Sequence, residues 1–158
     1  THGLDVRTTR SCNNFGKHQY PEKLIPVIIE KVSRQFMVPV YGDGSNVREW
    51  INVQDNCRAI QLVLEKGNPG EIYNIGSGNR LSNLELVQLI ATSMHVEGAD
   101  LIEFVSDRAG HDFRYAVDSS KSKLELGFLP KVDFEHGMKS TIEWYKQNSW
   151  WWQEIVAK

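Results

Sequence analysis

The chain has 158 residues, 41% of them hydrophobic and 24% charged, with a net charge of -2. That length carries one domain with a real core, and the composition is that of a globular chain rather than a disordered one. The slightly acidic balance argues against a nucleic-acid binder, no apolar run approaches the ~20 residues of a membrane span, and no secretory signal is expected.

The elements alternate. "LDVRTTRSC", residues 4–12, is a short β-branched run between Gly3 and Asn13-Asn14, and reads as a strand ending in a polar loop. A helix is predicted from Pro21, with Leu24, Ile25, Ile28, Ile29 and Val32 on one face; Pro26 falls early enough to be tolerated. "VPVYGDGSNVREWINV" predicts a strand, a Gly-Asp-Gly turn and a second strand of alternating character, and the bland reading of the turn is a hairpin. A helix follows from Asp55 to Lys66, with Ala59, Ile60, Val63 and Leu64 expected inward. "GNPGE" is a turn and "EIYNIG" a strand. Ser82 and Glu85 form a capping box before "LELVQLIATSM". "LIEFVS" is a further strand. Asp118 caps a short helix that stops at Gly127, and the last predicted helix runs from Phe134 to Gln147. The triple tryptophan of "WWWQEIVAK" receives no assignment. Alternating strands and helices predict α/β architecture, whose ligands sit at the carboxyl ends of strands.

Three polar stretches lie at such ends. "SCNNFGKHQYPEKL" puts two asparagine amides after the first strand and Lys23 near a helix start, where a cation is better placed if an anion shares the helix terminus. The bland reading of the asparagines is a turn. "YGDGSNVREW" carries Arg48, either a surface residue or a grip for phosphate oxygens. "DRAGHDFRYAVD" gathers Arg108, His111 and Arg114 around Gly110; it is either a solvated loop with local ion pairs or a closure over an anion. No metal site is expected from one histidine and two aspartates. Cys12 and Cys57 lack metal spacing and are expected as two buried free thiols in a reducing compartment.

Equally informative is what the sequence does not contain. It has no G-x-G-x-x-G turn, and Tyr20, Tyr41, Tyr73, Tyr115 and Tyr145 all lack a lysine four positions on. No G-x-S-x-G elbow occurs. Residues alone lead to an α/β domain with an anionic-ligand site, the ligand left open.

Taken together, "SCNNFGKHQYPEKLIP", "VPVYGDGSNVREWINVQD", "GEIYNIGSGNRLSNLELV" and "DRAGHDFRYAVDSSK" resemble, in order and spacing, the dTDP-glucose 4,6-dehydratases, which are extended short-chain dehydrogenases/reductases. The likeness runs from residue 1 to about residue 146, and it is to the C-terminal half of that family. It implies the last Rossmann strands at about 5–10 and 71–75 and a small α/β substrate-binding part over about 20–55 and 82–150. The N-terminal half, with the NAD-binding glycine motif and the catalytic groups, is expected outside this chain. Residues 1–3 look like the end of the helix that carries the Tyr/Lys pair.

The resemblance also implies residue roles. Asn13 would contact the sugar nucleotide and Asn14 the nicotinamide cofactor. Lys23 and Leu24 would open the substrate helix, and Pro39, Val40 and Tyr41 would line the nucleobase pocket. Arg48 and Arg108 would hold the diphosphate, with Asn83 nearby, and His111 and Tyr115 would close over the nucleotide. Implied with these are NAD as cofactor, a dTDP-sugar or related nucleotide sugar as partner, a cytoplasmic homodimer, and neither nucleic acid nor membrane. The alternatives are a fragment of a sugar-nucleotide epimerase or decarboxylase, against which the "GHDxRY" run argues, and a non-catalytic sugar-nucleotide-binding module. Ser11-Cys12 departs from the family's usual Cys-Ser, and Lys17 stands where proline is common.

Overall fold

The computed structural model describes residues 2–96 and 101–156. Residues 2–7 have no regular structure, so the helix end expected at residues 1–3 is not formed at residues 2 and 3, and residue 1 lies outside the described residues. Strand β1 (Thr8–Ser11) pairs in parallel with β5 (Ile72–Ile75). Strand β4 (Val47–Asn52) is the hub of a second sheet. It pairs in parallel with β2 (Asn13–Phe15) and β8 (Arg114–Tyr115), and antiparallel with β6 (Arg80–Ser82). Strand β3 (Val38–Tyr41) pairs in parallel with β7 (Ile102–Val105). Parallel pairing separated by helices is the α/β arrangement the alternation predicts.

The strand, turn and strand around Gly-Asp-Gly form as predicted, but the two strands do not pair as a hairpin. Gly42 and Gly44 take positive φ (59° and 76°), as a tight turn requires, but the turn hands the chain from the β3–β7 pair to the sheet of β4. The reason is competition: β3 gains a parallel partner some 60 positions downstream, and β4 is already bordered by other strands.

Helix α1 (Leu24–Ser33) starts three residues after Pro21, with Lys23 as its N-cap. Pro26 sits third in the helix, where its absent N–H has no intrahelical acceptor anyway. Ile25, Ile28, Ile29 and Val32 bury completely against α3 (Asn83–Ser93) and α5 (Phe134–Gln147). The capping box at Ser82 and Glu85 is present as expected, with the Glu85 N–H donating to Ser82 Oγ at 3.1 Å and the Ser82 N–H to Glu85 Oε2 at 2.7 Å. Helix α4 (Ser120–Leu126) ends on Gly127 at φ 67° as expected, but its N-cap position is Ser119 rather than Asp118, which lies one residue earlier and accepts from the Ser120 N–H at 2.9 Å. The tail folds as α6 (Ser149–Val156). It packs Trp151 and the buried Trp152 back on Trp144 and Tyr145, which gives two of the three tail tryptophans their role in the core. Trp150 remains exposed.

Helix α2 (Val53–Lys66) departs from its predicted face. Asp55, Ala59 and Val63 are buried, whereas Ile60 is 44% and Leu64 73% exposed. The inward stripe is led by an aspartate, which apolar periodicity does not count. Asp55 is only 1% exposed. Its carboxylate accepts from Arg58 Nη1 at 2.6 Å, from the Lys131 N–H at 3.0 Å and from the Val132 N–H at 2.9 Å. It ties α2 to the segment that leads into α5.

Trp50 and Ile51, consecutive on β4, point to opposite sides and so belong to different cores. Trp50 joins the large cluster of Phe15, α1, α3 and α5, while Ile51 joins Cys12, Ala59, Ile75 and Phe128. Next to them Glu49, 1% exposed, accepts from the Gly78 N–H at 2.9 Å, the Val117 N–H at 3.2 Å and Arg80 Nε at 3.4 Å. That carboxylate locks β6 and the irregular segment after β8 onto β4.

Both cysteines are free, but only Cys12 is buried; Cys57 is exposed on α2, which corrects the expectation of two buried thiols. Burial first, and the Glu49 charge second, push the Cys12 thiol up to about 12. Iodoacetamide at neutral pH should therefore label the folded chain once, at Cys57, and the denatured chain twice. Peptide mass spectrometry reads the outcome, and rapid native labelling of Cys12 would contradict it. Among the described residues no helix is long and apolar enough to cross a membrane.

Candidate functional site

Six chain segments meet around one cleft of about 600 Å³. The end of β2 brings Asn13 and Asn14, the start of α1 brings Lys23 and Leu24, and β3 brings Pro39 and Tyr41. Strand β4 brings Arg48 and Trp50, and the first residue of α3 is Asn83. The loop between β7 and β8 contributes Arg108 and His111. Ten of the twelve sequence-predicted site residues thus share one cavity. Val40 does not turn its side chain there. Alternation along β3 sends Val38 and Val40 into the core, and Pro39 and Tyr41 outward. Tyr115 lies on β8 beside Arg48, with its hydroxyl 3.5 Å from the Ser11 carbonyl, outside the lining of the cleft.

Arg48 is the best-fixed cation. It is 8% exposed, and its guanidinium donates to the Val47 carbonyl (Nη1, 2.8 Å) and the Asp112 carbonyl (Nη2, 2.8 Å). Asn46 Nδ2 donates to the same Asp112 carbonyl at 3.2 Å. Two side chains beside β4 thus hold the loop over the cleft. Within the loop, Gly110 turns the chain at φ 70°. Asp107 Oδ1 lies 2.7 Å from His111 Nδ1 and accepts from the Arg108 N–H at 2.8 Å. The hydrogen bond from His111 is the first cause that holds the Asp107 carboxyl below its ordinary value, which favours the ionised form. Ring Nδ1 is thereby occupied, which frees Nε2 for another partner. Tyr41 meets the His111 ring edge-on, with centroids 6.2 Å apart. Lys23 pairs with exposed Glu22 at 3.2 Å, a contact worth little in water. Lys23, Arg48 and Arg108 face a single lining carboxylate, Glu22, so the cleft favours an anion.

Sequence reasoning missed four residues of the lining, Gln19, Glu22, Val27 and Trp50. Period-two alternation from Arg48 puts Trp50 on the same strand face, a signal available in the sequence. Nothing local marks Gln19. The buried side-chain polar atoms without a hydrogen-bond partner among the described residues are Asn14 Oδ1, Gln19 Oε1 and Trp50 Nε1, and all three residues line this cleft. Such atoms are costly to bury unmatched, and their concentration here marks a place built for a polar ligand.

Comparison with known proteins follows the same line. A family model described as GDP-mannose 4,6 dehydratase matches residues 1–141. A dTDP-glucose 4,6-dehydratase of Streptomyces niveus is 52% identical over 157 residues, which is 99% of this chain and 46% of that protein. The chain is also similar to the dTDP-glucose 4,6-dehydratase DesIV from Streptomyces venezuelae, solved with NAD and TYD bound. There the TM-score is 0.95 at 46% identity, over 98% of this chain and 48% of that one. A UDP-glucose 4-epimerase from Thermotoga maritima, solved with UDP-glucose, aligns at a TM-score of 0.87 and 30% identity over 94% of this chain and 48% of that one. The chain spans about half the length of the curated relatives it matches.

Proposed function

The chain belongs to the GDP-mannose 4,6 dehydratase family of nucleotide-sugar enzymes, and from that premise we propose that it is the sugar-nucleotide-binding half of an NAD-dependent dTDP-glucose 4,6-dehydratase. The observation that carries the reading is the meeting of Lys23, Arg48, Arg108 and His111 in one cleft, although they come from segments as far as 88 positions apart (111 − 23). Two guanidinium forks suit a diphosphate, which accepts bidentate, charge-assisted hydrogen bonds. Pro39 and Tyr41 offer a flat, partly apolar wall for a nucleobase, with Val40 contributing backbone between them. Asn13 and Asn83 add neutral polar contacts, Leu24 an apolar one, and Tyr115 stands beside Arg48 at the rim.

For the cofactor the residues fit one edge only. Asn14 spends its amide nitrogen on the Cys12 carbonyl at 3.1 Å, so its buried oxygen is left to accept from a carboxamide N–H such as that of nicotinamide. NAD, when bound, supplies the reversible hydride acceptance required to convert dTDP-glucose into the 4-keto-6-deoxy sugar and water. This chain's residues bind the nucleotide and diphosphate, and that remote binding energy orients the hexose for chemistry performed by other groups. On this reading the longer protein works as a cytoplasmic homodimer.

The test is direct. Isothermal titration of the purified 158-residue chain should give saturable binding of dTDP-glucose, displaced by dTDP, with no tight binding of NAD and no turnover when both are present. Absence of dTDP-glucose binding would overturn the assignment, and formation of the 4-keto product by this chain alone would overturn its reading as a binding half.

A further inference from the structure

We infer that Trp50 and Gln19 are a specificity-determining pair that recognises hydroxyl groups of the hexose, one residue donating and the other accepting. The inference rests on the nucleotide-sugar reading above and concerns two further residues of the same cleft. Gln19 donates one Nε2–H to the Asn14 carbonyl at 2.9 Å, and its backbone carbonyl accepts from the Tyr145 hydroxyl. The first bond orients the amide and the second holds the backbone, which leaves Oε1 as a buried acceptor without a donor among the described residues. Trp50 is equally fixed. Its N–H donates to the Asn79 carbonyl at 2.8 Å, its carbonyl accepts from Ser77 Oγ at 2.6 Å, and its ring is packed in the large core. With only 3% of the residue exposed, the indole Nε1–H is a buried donor without an acceptor among the described residues.

The chemistry of the pair selects its ligand. An amide oxygen repels a phosphate or carboxylate, and an indole N–H has nothing to accept, so neither a second anion nor a cation satisfies both. A hydroxyl both donates and accepts, and a ring with adjacent hydroxyls meets the two at once. The spacing agrees. Arg48 and Trp50 lie two positions apart on the same face of β4, roughly 7 Å along the strand. That is about the reach from a phosphate held by Arg48 to the hydroxyls of the sugar it carries.

The experiment compares two ligands on three proteins. The unaltered chain should bind dTDP-glucose more tightly than dTDP. Trp50→Phe, which keeps the ring in the core, and Gln19→Leu should each narrow that ratio by roughly three- to tenfold, the worth of one net hydrogen bond, the loss falling on dTDP-glucose rather than on dTDP. A ratio unaltered in both variants overturns the pair while the nucleotide-sugar reading stands. Failure of the unaltered chain to bind either ligand removes that reading, and the pair falls with it. Should a variant not fold, the cyclohexyl ester of dTDP, the same ring size without hydroxyls, replaces it. Binding of that ester to the unaltered chain as tight as that of dTDP-glucose also overturns the inference.

Discussion

Asp55→Ala should destabilise the chain by about 2–5 kcal/mol, because a buried carboxylate is taken from two backbone donors and a partly exposed arginine. The mechanism lies less in the lost carboxylate than in what stays behind. Arg58 loses its 2.6 Å partner, and the N–H groups of Lys131 and Val132 lose the acceptor they share. Each donor left unmatched inside the fold costs roughly 1–3 kcal/mol. Asp55 is not part of the cleft lining, so ligand affinity per folded molecule should be unchanged. Urea unfolding followed by circular dichroism measures the first claim, and titration of the folded fraction the second. A loss below about 1 kcal/mol would mean that the 129–132 segment finds other acceptors. Asp55→Asn should cost less, because one carbonyl oxygen remains to accept.

Arg48→Ala should weaken binding of dTDP-glucose by about 1.5–3 kcal/mol, the worth of a charged hydrogen-bonded partner, or tenfold and more in affinity. Arg108→Ala should act in the same direction and less strongly, because its side chain is solvated. Lysine at position 48 should rescue only in part, since a point charge cannot serve the Val47 and Asp112 carbonyls and a phosphate from one planar fork. The salt dependence separates binding from packing. A contribution through charge fades as ionic strength rises, whereas loss of fold does not. Equal affinity of the alanine variant and the unaltered chain would remove Arg48 from the anion site.

Local signals were legible in the sequence and long-range ones were not. The capping box at Ser82 and Glu85 follows from two side chains three positions apart, and the stop at Gly127 from one backbone conformation. Arg48 and Arg108 were legible as residue types beside glycine turns and Lys23 as a cation at a helix start, because anion binding makes the same demand wherever it occurs. The partner of β3 was not, since β7 begins some 60 positions later and no feature of "VPVY" names it. The inward face of α2 misled because its leading residue is a charged side chain buried by partners 76 and 77 positions away. Trp50 was counted as core, which its ring is; only its nitrogen belongs to the site.

Gly76 sits against the Glu49 carboxylate, and a Cβ built there would lie 2.3 Å from Glu49 Oε1 and 2.8 Å from a methyl group of Val117. The oxygen is the far end of a side chain, yet it cannot swing aside without releasing the Gly78 N–H. Positions 49 and 76 are therefore not independent in evolution or in mutagenesis. A side chain at 76 becomes tolerable only after the acid at 49 has shortened, and shortening the acid first opens a gap that a side chain at 76 then fills. Libraries that vary one position at a time will score both as intolerant, and only paired variation will find the sequences in which this joint is rebuilt.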